Sequence, residues 1–175
     1  MNGASGEVEI RFLTAEDAEV YYAVRAEALE SEPEAFSSSP EEHSKLDLNE
    51  IRRRLAGDPA NNFVAGAFVG GKLSGTAGFH RQTGPKTRHK GMVWGVYLAA
   101  SLRGKGIGRR MMTILLERAS KIEGVEQIMI SVSTTRDAAR GLYQSLGFKP
   151  FAIELRALKV NGKYVDEEYM VMRVS

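Results

Sequence analysis

Met92 to Leu98 (Met-Val-Trp-Gly-Val-Tyr-Leu) is an apolar run, and three glycines follow at alternate positions, Gly104, Gly106 and Gly108. Directly behind them Ile107, Met111, Leu115, Ala119 and Ile122 repeat at helical spacing, the mark of a helix with one buried face. Gln127 to Val132 then alternates, with Ile128, Ile130 and Val132 on one side. A strand that crosses over through a helix to a second strand returns parallel to the first. This span therefore commits the chain to a sheet holding a parallel pair.

The same turn has a chemical bias. A helix start presents unpaired N–H groups and a partial positive charge, and glycines let an anion approach the backbone. Arg103, Lys105, Arg109 and Arg110 crowd this turn, so a ligand with more than one phosphate suits it. The dinucleotide fingerprint needs Gly-x-Gly-x-x-Gly with an acidic residue about 20 positions on. Here the pattern is Gly-x-Gly-x-Gly, past mid-chain. A nucleotide-hydrolase loop needs Gly-Lys-Ser/Thr, whereas Gly106 follows Gly104-Lys105.

The rest of the chain can be read around this centre. Val8 to Leu13 alternates as a first strand, and Thr14 and Asp17 form a capping box for a helix ending near Ser31, before Pro33. Glu32 to Pro40 is a loop with one aromatic, Phe36, and Ser39-Pro40-Glu41-Glu42 opens a second helix reaching Gly57. Asn62–Val69 and Lys72–His80 are strands around a Gly70-Gly71 turn. Gly95 inside the central strand marks a bulge or a close approach. Glu123-Gly124 closes the central helix, and Thr134 to Asp137 caps another that stops at Gly147. Phe148–Val160 and Lys163–Val174 form a hairpin across Asn161-Gly162. The order is β-α-α-β-β-β-α-β-α-β-β, a mixed sheet with helices on its faces.

Composition closes off other classes. With 175 residues, 43% of them apolar, one domain is expected over residues 8–175 behind a disordered lead of residues 1–7. A net charge of +2 gives no global field for nucleic acid. The basic stretch from Arg81 to Lys90 has no interleaved aromatics for base stacking. The chain has no cysteine, which removes disulfides, thiolate metal sites and a cysteine nucleophile. No run approaches the roughly 18 apolar residues of a membrane span, and the polar start lacks signal-peptide character, so a cytoplasmic protein is expected. His43, His80 and His89 are scattered without metal-ligand spacing, so no metal is expected, and no Gly-x-Ser-x-Gly elbow occurs.

Arg103-x-x-Gly106-x-Gly108 resembles the acyl-CoA pyrophosphate loop of the GNAT superfamily of N-acetyltransferases, Arg/Gln-x-x-Gly-x-Gly/Ala. Ala138-Ala-Arg-Gly-Leu-Tyr-Gln-Ser-Leu-Gly-Phe148 resembles that family's second signature, Ala-x-x-x-Leu-Tyr-x-x-x-Gly-Phe, at the right distance behind the first. The resemblance covers roughly residues 8–174. It implies an α/β (α+β mixed) GNAT fold: a six- to seven-stranded, mostly antiparallel sheet with one central parallel pair and about four helices on both faces. It also implies acetyl-CoA as acetyl donor. Backbone groups of Tyr97, Leu98 and Ala99 would pair with the pantetheine arm. The amides of Gly104, Lys105, Gly106, Ile107, Gly108 and Arg109, with Arg103, would hold the pyrophosphate. Tyr143 matches the tyrosine that serves as general acid at the CoA sulfur, where a phenol hydrogen bond is strongest as the thiolate departs.

Two positions depart from the family. Arg136 stands where Asn is common, and it would add a contact to phosphate or to a lid. The central strand lacks the glutamate often found near Trp94 or Gly95, so the general base comes from elsewhere: Glu154 first, His89 second, ordered water third. With no cysteine, transfer is direct within a ternary complex. Glu30, Glu32, Glu34, Glu41 and Glu42 around the presumed substrate wall suit a cationic amine, and a small-molecule acceptor is favoured over a protein. A peptide or protein N-terminus and a non-catalytic acyl-CoA-binding module are the alternatives. The C-terminal hairpin offers an edge for a homodimer.

Overall fold

Seven strands share one sheet in the order β1-β2-β3-β4-β5-β7-β6: β1 (Val8–Phe12), β2 (Asn62–Val69), β3 (Lys72–Arg81), β4 (Lys90–Leu98), β5 (Gln127–Ser133), β6 (Lys149–Val160) and β7 (Lys163–Arg173). Among the described residues five α-helices flank it: α1 (Ala18–Ser31), α2 (Pro40–Ser44), α3 (Leu48–Ala56), α4 (Ile107–Ser120) and α5 (Asp137–Ser145). The computed structural model describes residues 6–174. The expected lead of residues 1–7 lies mostly outside the described residues; at its end the Gly70 N–H donates to the Glu7 carbonyl at 3.1 Å. Every neighbouring pair of strands is antiparallel except β4 and β5, as the crossover through α4 requires. No helix among the described residues is long and apolar enough to cross a membrane.

Both short hairpin turns follow their sequence chemistry. Gly70 and Gly71 have φ of +57° and +79°, and Asn161 and Gly162 have +48° and +79°; two left-handed residues match the strand twist. The capping box of Thr14 and Asp17 is formed. Asp17 also takes two hydrogen bonds from Arg11, at 2.8 and 2.7 Å, and these above all hold its carboxyl below the usual range.

Three expected boundaries are corrected. The second helix is two, because the Asp47 side chain accepts from the Glu50 N–H at 2.9 Å and starts a new helix there. The central helix stops at Ser120, short of Gly124. Thr134 does not cap α5: its N–H donates to the Asp166 carbonyl at 3.0 Å, extending the sheet, and Arg136 takes the cap position.

The two sheet faces bury different helices. On one, Met111, Met112 and Leu115 of α4 pack with Phe79, Ile128 and Ile130, all 2% exposed or less. On the other, Val24, Ala28 and Leu29 of α1 pack with Val64, Phe68 and Leu73. Each fully buried large side chain contributes about 1.5–3 kcal/mol relative to exposure. The sheet is therefore tightly packed on both faces, and the candidate site is built into a gap in it.

Candidate active site

The gap begins where β4 and β5 part. They pair only at Lys90, Gly91 and Met92, opposite Gln127, Ile128 and Met129. Past Met92, β4 bulges. Trp94 faces Gly78 and Tyr97 faces Thr76, so Gly95 and Val96 together oppose Ala77. Gly95 adopts φ +61°, a conformation that side chains strain to reach, and the Thr76 hydroxyl donates to its carbonyl at 3.2 Å. The bulge turns the end of β4 away from β5 and opens a mouth on the α4 side.

A cavity of about 670 Å³ fills that mouth. Val96, Tyr97 and Leu98 form one wall, the loop at Gly104, Gly106 and Gly108 another, and Arg136 to Tyr143 a third. Gly104 and Gly106 have φ of +74° and +77°, with open space where side chains would stand. Gly106 caps α4, whose first helical bond runs from the Arg110 N–H to the Gly106 carbonyl at 3.1 Å. The amides of Ile107, Gly108 and Arg109 therefore have no acceptor within the helix. Bare amides, a helix start and the guanidiniums of Arg103, Arg109 and Arg136 in one cavity are the donor set for a pyrophosphate.

Those cations are not all free. Glu32 lies between Arg103, at 2.7 Å, and Arg136, with which it makes a close ion pair. Burial alone would push the Glu32 carboxyl up, but the two guanidiniums outweigh it and hold the carboxyl below its ordinary value. The Arg109 guanidinium donates to the Ser145 hydroxyl at 2.7 Å, tying α4 to α5. Arg103 also donates to the Leu98 carbonyl at 2.9 Å.

Tyr143 is 5% exposed and lines this cavity and a second, smaller one of about 370 Å³. Its helix is pinned to β7 by Arg140, which donates to both Glu168 oxygens at 3.0 and 3.1 Å. The ring meets Phe148 edge-on, 6.2 Å between centroids. Burial pushes the Tyr143 phenol well up, with Arg136 pulling weakly the other way, so its proton stays on through the neutral range.

The smaller cavity faces α1. Its walls include Arg25, Phe36, His80, Gly95, Ser131 and Glu167. Burial, and then the nearby Glu154 charge, raise the Glu167 carboxyl above the ordinary range, while the Ser131 hydroxyl opposes them. Burial lowers His80, leaving a neutral imidazole near pH 7. Both groups are poised to take a proton there.

Of the expected site residues, Tyr97, Leu98, Arg103, Gly104, Gly106, Gly108, Arg109, Arg136 and Tyr143 line the large mouth together. The Tyr97 side chain points away, its hydroxyl donating to Glu27 at 2.7 Å. Ala99 does not line the cavity, and its N–H already donates to the Ser74 carbonyl at 2.9 Å. Lys105 is exposed in the loop, and the Ile107 side chain is buried in the core. Glu154 stands exposed on β6, accepting from the Tyr169 hydroxyl at 2.7 Å; that bond, foremost, pushes the Tyr169 phenol up to about 12. His89 lies at the closed end of the seam, its carbonyl accepting from Glu126 and Gln127. Neither Glu154 nor His89 lines the cavities holding Tyr143. Among the five acids of the presumed wall, Glu32 lines the mouth with its charge already paired, and Glu42 lines a third cavity beneath α1 and α3.

Sequence reasoning missed Glu167 and Arg25. The two-residue turn by itself would set Glu167 opposite Arg156; only the register shift in β6 brings it opposite Glu154.

Comparison with known proteins agrees with this geometry. The model of the acetyltransferase (GNAT) family matches residues 21–148. The chain is 37% identical over 112 residues to the N-alpha-acetyltransferase RimI of Mycobacterium tuberculosis, covering 64% of this chain and 66% of that protein. It is 33% identical over 132 residues to a mycothiol acetyltransferase of Corynebacterium aurimucosum, covering 71% of this chain but 43% of that one. The chain thus spans just under two thirds of the first relative's length and less than half of the second's. In three dimensions it is similar to an acetyltransferase of the GNAT family from Streptococcus pneumoniae, with a TM-score of 0.84 at 22% identity over 95% of this chain and 99% of that one.

Proposed function

This chain belongs to the GNAT family of acetyltransferases, and we propose that it is a cytoplasmic enzyme moving the acetyl group of acetyl-CoA to a primary amine by direct transfer in a ternary complex. The observation that carries this reading is the position of Tyr143. It is the phenol shared by a cavity suited to a pyrophosphate and by a smaller cavity holding a carboxylate and an imidazole.

When bound, acetyl-CoA supplies an acetyl group activated as a thioester. The strand end at Tyr97 and Leu98 would take its pantetheine arm, and the amides at Gly104 to Arg109, with Arg103, Arg109 and Arg136, its phosphates. Glu167 accepts the proton of the attacking amine as the N–C bond forms. Tyr143 donates to the sulfur as the C–S bond breaks, and the thiol leaves with that proton. A carboxyl held above its ordinary pKa is a better base near neutrality. His80 is the second candidate base, since it lines the same cavity as a neutral imidazole.

The small volume of the acceptor cavity supports a small amine over a protein terminus, although the RimI relative is named for N-alpha acetylation. Phe151, Ile153 and Leu155 stand 55, 57 and 74% exposed on the edge strand β6, which supports a homodimer through this hairpin. Thiol release from acetyl-CoA across a panel of amines and peptides, run beside Tyr143→Phe, tests the reading. Turnover lost in the variant supports it. Tight acetyl-CoA binding with no thiol released on any acceptor would leave a binding module instead.

A further inference from the structure

Arg25 of α1 enters the acceptor cavity from the side opposite α5. Its guanidinium lies over the Phe36 ring, 4.6 Å from carbon to centroid. Its Nη1 reaches the bulge, 3.5 Å from where a Cβ on Gly95 would stand. That nitrogen is buried and has no hydrogen-bond partner. Burial draws the guanidinium's pKa down; the nearby Tyr21 phenol opposes that, but burial raises its own pKa, so it brings no anion near neutral pH.

This is unlike the other buried ends of charged chains here. Asp17 has Arg11, Glu32 has Arg103 and Arg136, and Glu168 has Arg140. A guanidinium withdrawn from water without an anion is unfavourable unless something else supplies the anion. Phe36 and the Gly95 backbone hold the planar fork in place, and a planar fork matches a carboxylate through two parallel hydrogen bonds.

The cavity also has an opposite end. Glu167 and Tyr143 line it on the β7 and α5 side. Arg25 further lines the adjoining cavity of about 690 Å³ under α1 and α3, whose walls include Leu29, Ile51 and Leu55. Resting on the transferase reading above, we propose that the acceptor is an amine that carries a carboxylate, with the carboxylate held by Arg25 and the amine turned toward Glu167 and Tyr143. A substituent on such a molecule has the cavity beside Arg25 to enter, where Leu29, Ile51 and Leu55 stand among polar side chains such as Glu42 and Asp58. Polyamines and aminoglycosides, which bring only positive charge, are disfavoured by the same guanidinium.

The test pairs each acceptor with its neutral twin: leucine with leucinamide, phenylalanine with phenylalaninamide. Amides have the less basic and more readily deprotonated amine, so preference for the acid cannot come from amine reactivity. Wild-type protein is expected to favour the acid in kcat/KM by about 30- to 100-fold, and Arg25→Met to erase that preference. A second readout needs no turnover: N-acetylleucine should raise the melting temperature of the wild type, N-acetylleucinamide should not, and Arg25→Met should respond to neither. Since Arg25→Met removes an unpaired buried charge, its own melting temperature should not fall. If it fails to fold, Arg25→Lys serves, keeping charge without the fork and retaining only part of the acid preference. Equal use of acid and amide, a preference for peptide N-termini, or an acid preference that survives in Arg25→Met overturns the proposal. Acid-specific stabilisation that depends on Arg25, with no amine acetylated, keeps the carboxylate site and overturns the transferase reading instead.

Discussion

Arg103 and Arg136, in the donor cavity, already have the Glu32 carboxylate between them. Arg25, on the acceptor side of the same tyrosine, has none. The two cavities meet at Tyr143 and treat positive charge in opposite ways. In the donor cavity a resident carboxylate orients two arginines and tempers their charge, so an incoming polyanion meets an ordered site. The acceptor cavity is also lined by Arg136, whose charge Glu32 already pairs, whereas Arg25 is held only by an aromatic ring and a strand backbone, and its anion must come from outside. If this contrast is correct, changes on one side should move donor binding and changes on the other should move turnover.

The largest effect is expected at Glu167. Glu167→Gln should lower kcat by about 100-fold or more while acetyl-CoA affinity by calorimetry stays within about twofold. A change confined to acetyl-CoA binding would break the division. Tyr143→Phe should lower kcat by more than about tenfold, again with donor affinity nearly intact; undiminished turnover would return Tyr143 to packing. Glu32→Gln acts on the other cavity: acetyl-CoA should bind about threefold tighter at low salt, and the gain should shrink as salt screens it. Loss of affinity would mean that ordering the arginines outweighs tempering them.

The smallest effect is a shift in pH dependence. Glu167 works as a base only when ionised, so kcat/KM falls as pH drops through its pKa, which burial first and Glu154 second raise. Glu154→Gln removes the like charge. The acidic limb should then move to lower pH, and the Tyr169 phenol should fall from about 12. An unmoved limb would assign the base to His80, whose shift comes from burial alone.

The donor half was legible because it is contiguous. One strand end, one loop and one helix start, from Tyr97 to Arg109, carry it, and short-range spacing encodes both the glycines and the charges. Gly95 announced its bulge, and Asn161-Gly162 its turn. The acceptor half was not legible, because Arg25, Phe36, His80 and Glu167 come from four separate parts of the chain and meet only once strand order is set. That order was the hidden variable. β7 inserts between β5 and β6, so a carboxylate on β6 stands one strand further out than chain order suggests. A register shift in β6 between Glu154 and Leu158 then brings Glu154 opposite Glu167. Arg156, at φ +56° with its N–H donating to the Asp166 side chain, sits in that shift. No pattern of apolar residues foretold it.

The three residue pairs that join β4 to β5 have a mechanical meaning. Beyond them the sheet is two smaller sheets, β1 to β4 and β5 with β7 and β6, hinged at one end like the halves of a clothes-peg. A donor arm lying along Tyr97 and Leu98 would act as mortar between those halves, so binding should stiffen the molecule across its widest fault. Amide exchange in β4 and β5 beyond Met92 and Met129 would then slow on adding acetyl-CoA, while β1 and β2 keep their rates. On this reading the seam proposed to take the donor arm is also the line along which the protein is expected to open first without it.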